Sequence, residues 1–139
     1  TDARMLAKQL VWAAYADAAR NEAFNSVNGD LFRWSWLWGK LAEWFGVPAA
    51  GFTGSVQPLE AIMANDHALW REMAERHGLA EPSLDRLASA WHTDLDLGRP
   101  LEVMTDMARS RKLGFAAYQA TDESFFDLFA QLRAERLIP

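Results

Sequence analysis

The stretch Ala23-Phe-Asn-Ser-Val-Asn-Gly-Asp-Leu-Phe-Arg-Trp34 governs how the rest of the chain is read. Ala23–Val27 has the make-up of a short β-strand. Asn28-Gly29 then gives a tight turn in which Gly takes the positive φ, and an aromatic helix follows at once. A strand needs neighbours for its backbone N–H and C=O groups. Nothing flanking this one offers them, so it is expected to join a sheet whose other members lie on chain outside these 139 residues. On that reading the chain is the C-terminal part of a larger α/β protein, and is itself mainly α with one or two short strands.

Composition narrows the function. The 139 residues are enough for one domain with a core, and they include seven Trp and eight Phe. A net charge of −5 speaks against a nucleic-acid partner, which needs clustered Lys and Arg. No apolar run approaches the ~18 residues of a spanning helix, and no basic amphipathic stretch points to a membrane surface. With no Cys there is no disulfide, thiolate metal site or cysteine nucleophile. Thr1-Asp-Ala-Arg-Met-Leu-Ala lacks the pattern of a secretory signal, so a cytoplasmic setting is the expectation.

Helical periodicity organises the remainder. Thr1 or Asp2 should cap a helix running to about Arg20, with Met5, Gln9 and Trp12 on one stripe. Leu31–Phe45 should form a second, capped by Asp30, ended by Gly46, and turning Trp34, Leu37, Trp38, Leu41 and Phe45 to one face. Trp36 falls on the opposite side, near Lys40 and Glu43. It is either a partly covered surface residue or a contact for another domain or subunit. Gly46–Ser55 reads as a loop with room for a short strand. Pro58 suits the start of a short helix to Met63. Asn65 or Asp66 caps a helix that stops at Gly78. Ser83 caps another, with Leu84, Leu87, Ala88 and Trp91 inward. His92–Pro100 reads as irregular, and Leu101–Met104 as a brief strand. Thr105 or Asp106 opens a short helix closed by Gly114, and Thr121 opens the last one. No linker divides the chain.

Several motifs in order carry a resemblance. They are Asp2-Ala-Arg-Met-Leu-Ala-Lys-Gln-Leu-Val-Trp-Ala-Ala14, the Ala23–Trp34 stretch with Leu37-Trp38, Leu41-Ala42 and Phe45-Gly46. Pro58-Leu59, Met63, Trp70, Asp106 and Arg109-Ser-Arg-Lys-Leu-Gly-Phe115 follow, then Thr121, Ser124-Phe125, Leu132-Arg133 and Ile138-Pro139. Over essentially its whole length the chain resembles an atypical branch of the extended short-chain dehydrogenase/reductases, the progesterone 5β-reductase/iridoid synthase-like group. Bacterial members of that branch are often labelled NAD-dependent epimerase/dehydratase.

The resemblance implies a Rossmann-like parent that binds NADP or NAD and reduces an enone or carbonyl by hydride transfer. A glycine-rich loop and a Tyr/Lys pair would lie in an N-terminal dinucleotide-binding domain absent from this chain. Residues 1–139 would then be the substrate-binding portion. No glycine-rich dinucleotide motif occurs here, and neither Tyr15 nor Tyr118 has Lys four residues on (Ala19 and Asp122 stand there). The chain alone is therefore expected to bind no cofactor and to carry no catalytic residue. Arg109 stands where the group commonly has Lys.

The implied substrate is a small apolar carbonyl compound, which needs a water-excluding pocket. Met104, Met107, Leu113, Phe115 and Tyr118 are the candidates, Phe115 foremost by resemblance. The plain alternative for Met107, Leu113 and Phe115 is ordinary core. Asn28, Gly29, Asp30 and Arg33 invite a functional reading, but turn formation and capping of the Leu31 helix by Asp30 account for them without a ligand. Pro58–Trp91 could form a helical cap over the cleft. His67, His77 and His92 lack metal-ligand spacing. Asp94-Leu-Asp96 reads as solvated loop, and Ser110 and Ser124 have no neighbouring His to activate them. Two other functions stay open: a sugar-nucleotide epimerase or dehydratase, using Arg33, Arg109 and Arg111 on a diphosphate, and a helical protein-interaction module. A homo-oligomer covering the strand edge and Trp36 is a further expectation.

Overall fold

Helices account for all the regular structure in the computed structural model, which describes residues 1–139. They are α1 (Ala3–Tyr15), a 3-10 turn (Asp17–Ala19), α2 (Trp34–Phe45), α3 (Leu59–Ile62), α4 (His67–His77), α5 (Leu84–Leu87), α6 (Ala90–Leu97), α7 (Ala108–Lys112) and α8 (Thr121–Ala134). They build two units. One comprises Thr1–Ala50 with Val103–Phe126, the other Gly51–Glu102 with Asp127–Pro139.

The expected strands do not form. Ala23–Val27 belongs to no element, and the same holds for Leu101–Met104 and the Gly46–Ser55 loop. A strand exists only as part of a ladder, and residues 23–27 donate no backbone–backbone hydrogen bond to any other segment. Two of their carbonyls, those of Asn25 and Ser26, accept from side chains instead. Gln9 Nε2 donates to Asn25 O at 2.9 Å and Thr1 Oγ1 to Ser26 O at 3.2 Å.

In the first unit, α1 starts where Asp2 accepts from Arg4 N. It stops at Tyr15, short of the expected Arg20, because Ala16 turns extended. The chain then makes the 3-10 turn and reverses at Asn21, whose φ of 59° suits a short polar side chain. α2 begins at Trp34 rather than Leu31, since Arg33 is still extended. It ends as expected: Gly46 lies in the left-handed region, and Val47 N reaches back to Ala42 O at 2.9 Å. Leu37 and Leu41 bury one stripe, while Trp34, Trp38 and Phe45 on the same face remain partly exposed.

The second unit is thinner, with Ala74 as its one buried apolar residue. Gly78 closes α4 with the same Schellman geometry as Gly46, Leu79 N bonding Ala74 O at 2.8 Å. The region expected to be irregular from His92 is instead helix α6. Asp94 on α6 accepts from Leu59 N at 2.8 Å and Glu60 N at 3.0 Å, so it caps α3. Asp96 pairs with Arg99. The expected single helix after Ser83 is broken at Ala88, which is extended, and Trp91 faces outward rather than inward.

Candidate functional site

An apolar nest sits between α1 and the α7 region. Met5 is fully buried against Met107 and Phe115, with Trp12, Val27 and Ala117 packed around them. Trp12 meets Phe24 edge-on at 5.1 Å and lies over Phe115 at 5.3 Å between ring centroids. Gly114, at φ +104°, reverses the chain after α7, and Phe115 N bonds back to Ser110 O at 2.9 Å. That reversal is what drives Phe115 inward.

The five apolar residues singled out by sequence therefore part company. Met107 and Phe115 come together as core. Leu113 is half-buried and outside that cluster, and Met104 and Tyr118 are exposed, at 72% and 67%.

Beside the nest, a polar knot ties distant parts of the first unit together. Asn28 is buried. Its Oδ1 accepts from Asp2 N at 2.6 Å, and its Nδ2 donates to Thr121 Oγ1 at 3.0 Å. Asp30 accepts from Thr121 N at 2.7 Å through Oδ2 and from Thr121 Oγ1 at 2.8 Å through Oδ1. Asp30 thus caps α8, not α2 as its position in sequence implied. Arg111 Nη2 donates to Gly29 O at 2.9 Å, and Gln119 N to Asn28 O at 2.8 Å. No local pattern could have shown these bonds, because their partners stand 26–93 residues apart.

A cleft of about 300 Å³ opens nearby, lined by Ala23, Phe24, Asn25, Asp106, Met107, Arg109 and Ser110. Asn25 Nδ2 closes one side by donating to Asp106 O at 2.9 Å. Arg109 Nη1 stands 2.9 Å from Glu22 Oε2. A smaller hollow of about 190 Å³ lies among Lys40, Glu43, Trp44 and Phe126. Lys40 pairs with Asp122 at 2.6 Å and sits 4.6 Å from the centre of the Trp36 ring, which remains 47% exposed.

Two carboxylates have lowered pKa values. The Arg4 side chain holds Asp2 well below the usual range, against the opposing effect of burial. Lys40 lowers Asp122 in the same way. No group of three or more His, Asp or Glu is placed to hold a metal ion. His67 faces Asp85 at 3.6 Å, and His92 Nδ1 lies 2.7 Å from Ser89 Oγ. Five helix N-termini already carry a side-chain acceptor: Asp2 on α1, Asp94 on α3, Ser89 on α6, Asp106 on α7 and Asp30 on α8. Four of these are carboxylates, which repel a pyrophosphate where a dinucleotide fold would welcome one. No helix is long and apolar enough to cross a membrane.

No family model matches the chain. Individual proteins do, along its whole length. It is 36% identical over 141 residues to a 3-oxo-Δ(4,5)-steroid 5-beta-reductase of Arabidopsis thaliana. It is 34% identical over 141 residues to an (S)-8-oxocitronellyl enol synthase of Camptotheca acuminata, and 33% over 140 residues to one of Antirrhinum majus. The chain spans about 36% of the length of each of these relatives.

Proposed function

From the premise that this chain belongs to the progesterone 5β-reductase/iridoid synthase-like group of short-chain dehydrogenase/reductases, we propose that it is the substrate-binding C-terminal portion of an NAD(P)H-dependent reductase. Its substrates would be enones or related carbonyl compounds. The observation that carries this reading is the match of the entire chain to a steroid 5-beta-reductase and to enol synthases at 33–36% identity.

Physical features agree with a larger parent. Arg4 and Lys8 give α1 one charged stripe, but apolar residues outside it are uncovered too: Leu6, Leu10 and Val11 are exposed. Apolar helix surface left open in this way is suited to contact with further chain. Ala23–Val27 donates no backbone–backbone hydrogen bond. Docking on a parallel sheet would occupy both features.

The bound nicotinamide would supply the hydride. This chain carries no glycine-rich phosphate loop, and carboxylates already occupy four of its helix N-termini, so on this reading the cofactor is held mainly by the other domain. Its share is to bind and orient substrate. Phe115 and Met107 form the floor under the loop that follows α7, and Tyr118 and Met104, exposed here, offer aromatic and thioether surface to an apolar ligand.

A sugar-nucleotide substrate is the weaker reading. Of the arginines it would use, Arg109 is paired with Glu22 and Arg111 is bonded to Gly29 O. The test is reduced-nicotinamide oxidation by the full-length protein, with small conjugated enones against sugar nucleotides. Turnover with enones alone is expected. Turnover with sugar nucleotides alone would overturn the reading.

A further inference from the structure

We propose, on the reading of the loop after α7 as substrate-facing, that the Asn28-Gly29-Asp30 turn is a positioning clamp which fixes that loop for substrate binding. Residues 115–120 carry no secondary structure and so must find partners elsewhere for their backbone groups. Three consecutive turn residues supply anchors at three points along it. Gly29 O holds Arg111, before the loop, at 2.9 Å. Asn28 O holds Gln119 N, within it, at 2.8 Å. Asp30 holds Thr121, just after it, through both carboxylate oxygens.

The approach is close enough to require glycine. Gly29 has φ +92°, and a Cβ added there would lie 3.0 Å from Arg111 Nη2 and 3.3 Å from Tyr118 Cβ. The turn therefore presses on the base of Tyr118 while 67% of that residue stays open to solvent. A side chain held at its root and free at its tip is suited to meeting a ligand with little ordering left to do. Asn28, Gly29, Asp30 and Arg111 act through Phe115 and Tyr118. They are positioning residues, not catalytic ones.

The test uses the full-length protein with Arg111→Met, which keeps the stem and removes the donor, and Arg111→Lys, which restores one. Arg111→Met should raise KM for an enone about tenfold and leave kcat within about twofold, the pattern of lost ground-state positioning. Amide exchange across 115–119 should accelerate in the same variant with an unchanged melting temperature, and Arg111→Lys should return both readouts toward wild type. Gly29→Ala should have the same effect or a larger one.

Tyr118→Ala separates the two layers. If it raises KM while Arg111→Met moves neither KM nor exchange, the clamp is wrong and the substrate-facing reading stands. If exchange accelerates in Arg111→Met but KM is unmoved in both variants, the substrate-facing reading falls, and the proposal with it.

Discussion

Asp30 and Thr121, 91 residues apart, share two hydrogen bonds, and removing them has a calculable effect. The bond to Thr121 N satisfies an orphan donor of the first turn of α8, a cap that typically contributes about 1 kcal/mol. The bond to Thr121 Oγ1 is to a carboxylate, and contributes about 1 kcal/mol or somewhat more. Asp30→Ala should therefore destabilise the chain by about 2 kcal/mol. Thr121→Ala loses the hydroxyl bond and also strips buried Asn28 Nδ2 of its acceptor, for about 1.5 kcal/mol. Because the hydroxyl bond is counted in both, the double variant should fall short of the sum by about 1 kcal/mol, well outside the ~0.3–0.5 kcal/mol expected of independent sites. Urea unfolding measures this. With a slope of about 2 kcal/mol per molar, Asp30→Ala moves the midpoint by roughly 1 M. If Asp30→Ala is neutral, Asp30 does not cap α8; if the two substitutions add, the bond between Asp30 and the Thr121 hydroxyl is wrong.

Three further outcomes are expected. Phe115→Ala should cost about 3 kcal/mol, since it empties the space between Met5, Met107 and Trp12; a loss below about 1 kcal/mol in urea unfolding would show that the nest is not core. Acid should weaken the fold. Asp2 and Asp122 have folded pKa values below their ordinary 3.8, so their contribution is present above that value and is lost as pH falls through it toward the folded values. Lys40→Met should cost up to about 1 kcal/mol at pH 7 and progressively less below pH 4, and an undiminished difference at pH 2 would contradict the pairing. Calorimetry of the 139-residue chain with NADPH should show no binding at micromolar concentration, and a micromolar dissociation constant would place a cofactor site where carboxylate-capped helix ends argue against one.

What could be read from sequence was local. Gly46 and Gly78 stop their helices through bonds that span five residues, and the start of α8 at Thr121 lies where its first acidic turn puts it. The stripe Met5, Gln9, Trp12 was visible as a period and does face inward. What was not legible depended on partners far along the chain. Asp94 looked like solvated loop until α3 arrived at its carboxylate, and Asp30 looked like the cap of the helix beside it until α8 took both its oxygens. The candidate site divides along the same line. Apolar character around a helix end at Gly114 could mark Met107 and Phe115 as core candidates, but nothing in sequence could say that Met104 and Tyr118 would remain outside the cluster.

The segment 23–27 joins these strands of argument. Its composition asks for a sheet, and the chain gives it none. Asn25 and Ser26 give their carbonyls to side chains from α1 and the start of the chain, while none of the five residues donates a backbone–backbone bond. Ser26 Oγ and Gln9 Oε1, both buried, have no hydrogen-bond partner either. Buried side-chain oxygens left without a partner are costly. A neighbouring strand would supply carbonyls to those amides and a donor to the orphaned oxygens in one step. Leu6, Leu10 and Val11 leave apolar surface of α1 open on other sides of that helix. A sheet-bearing parent has partners to offer to both, whereas a free-standing helical module leaves both unanswered.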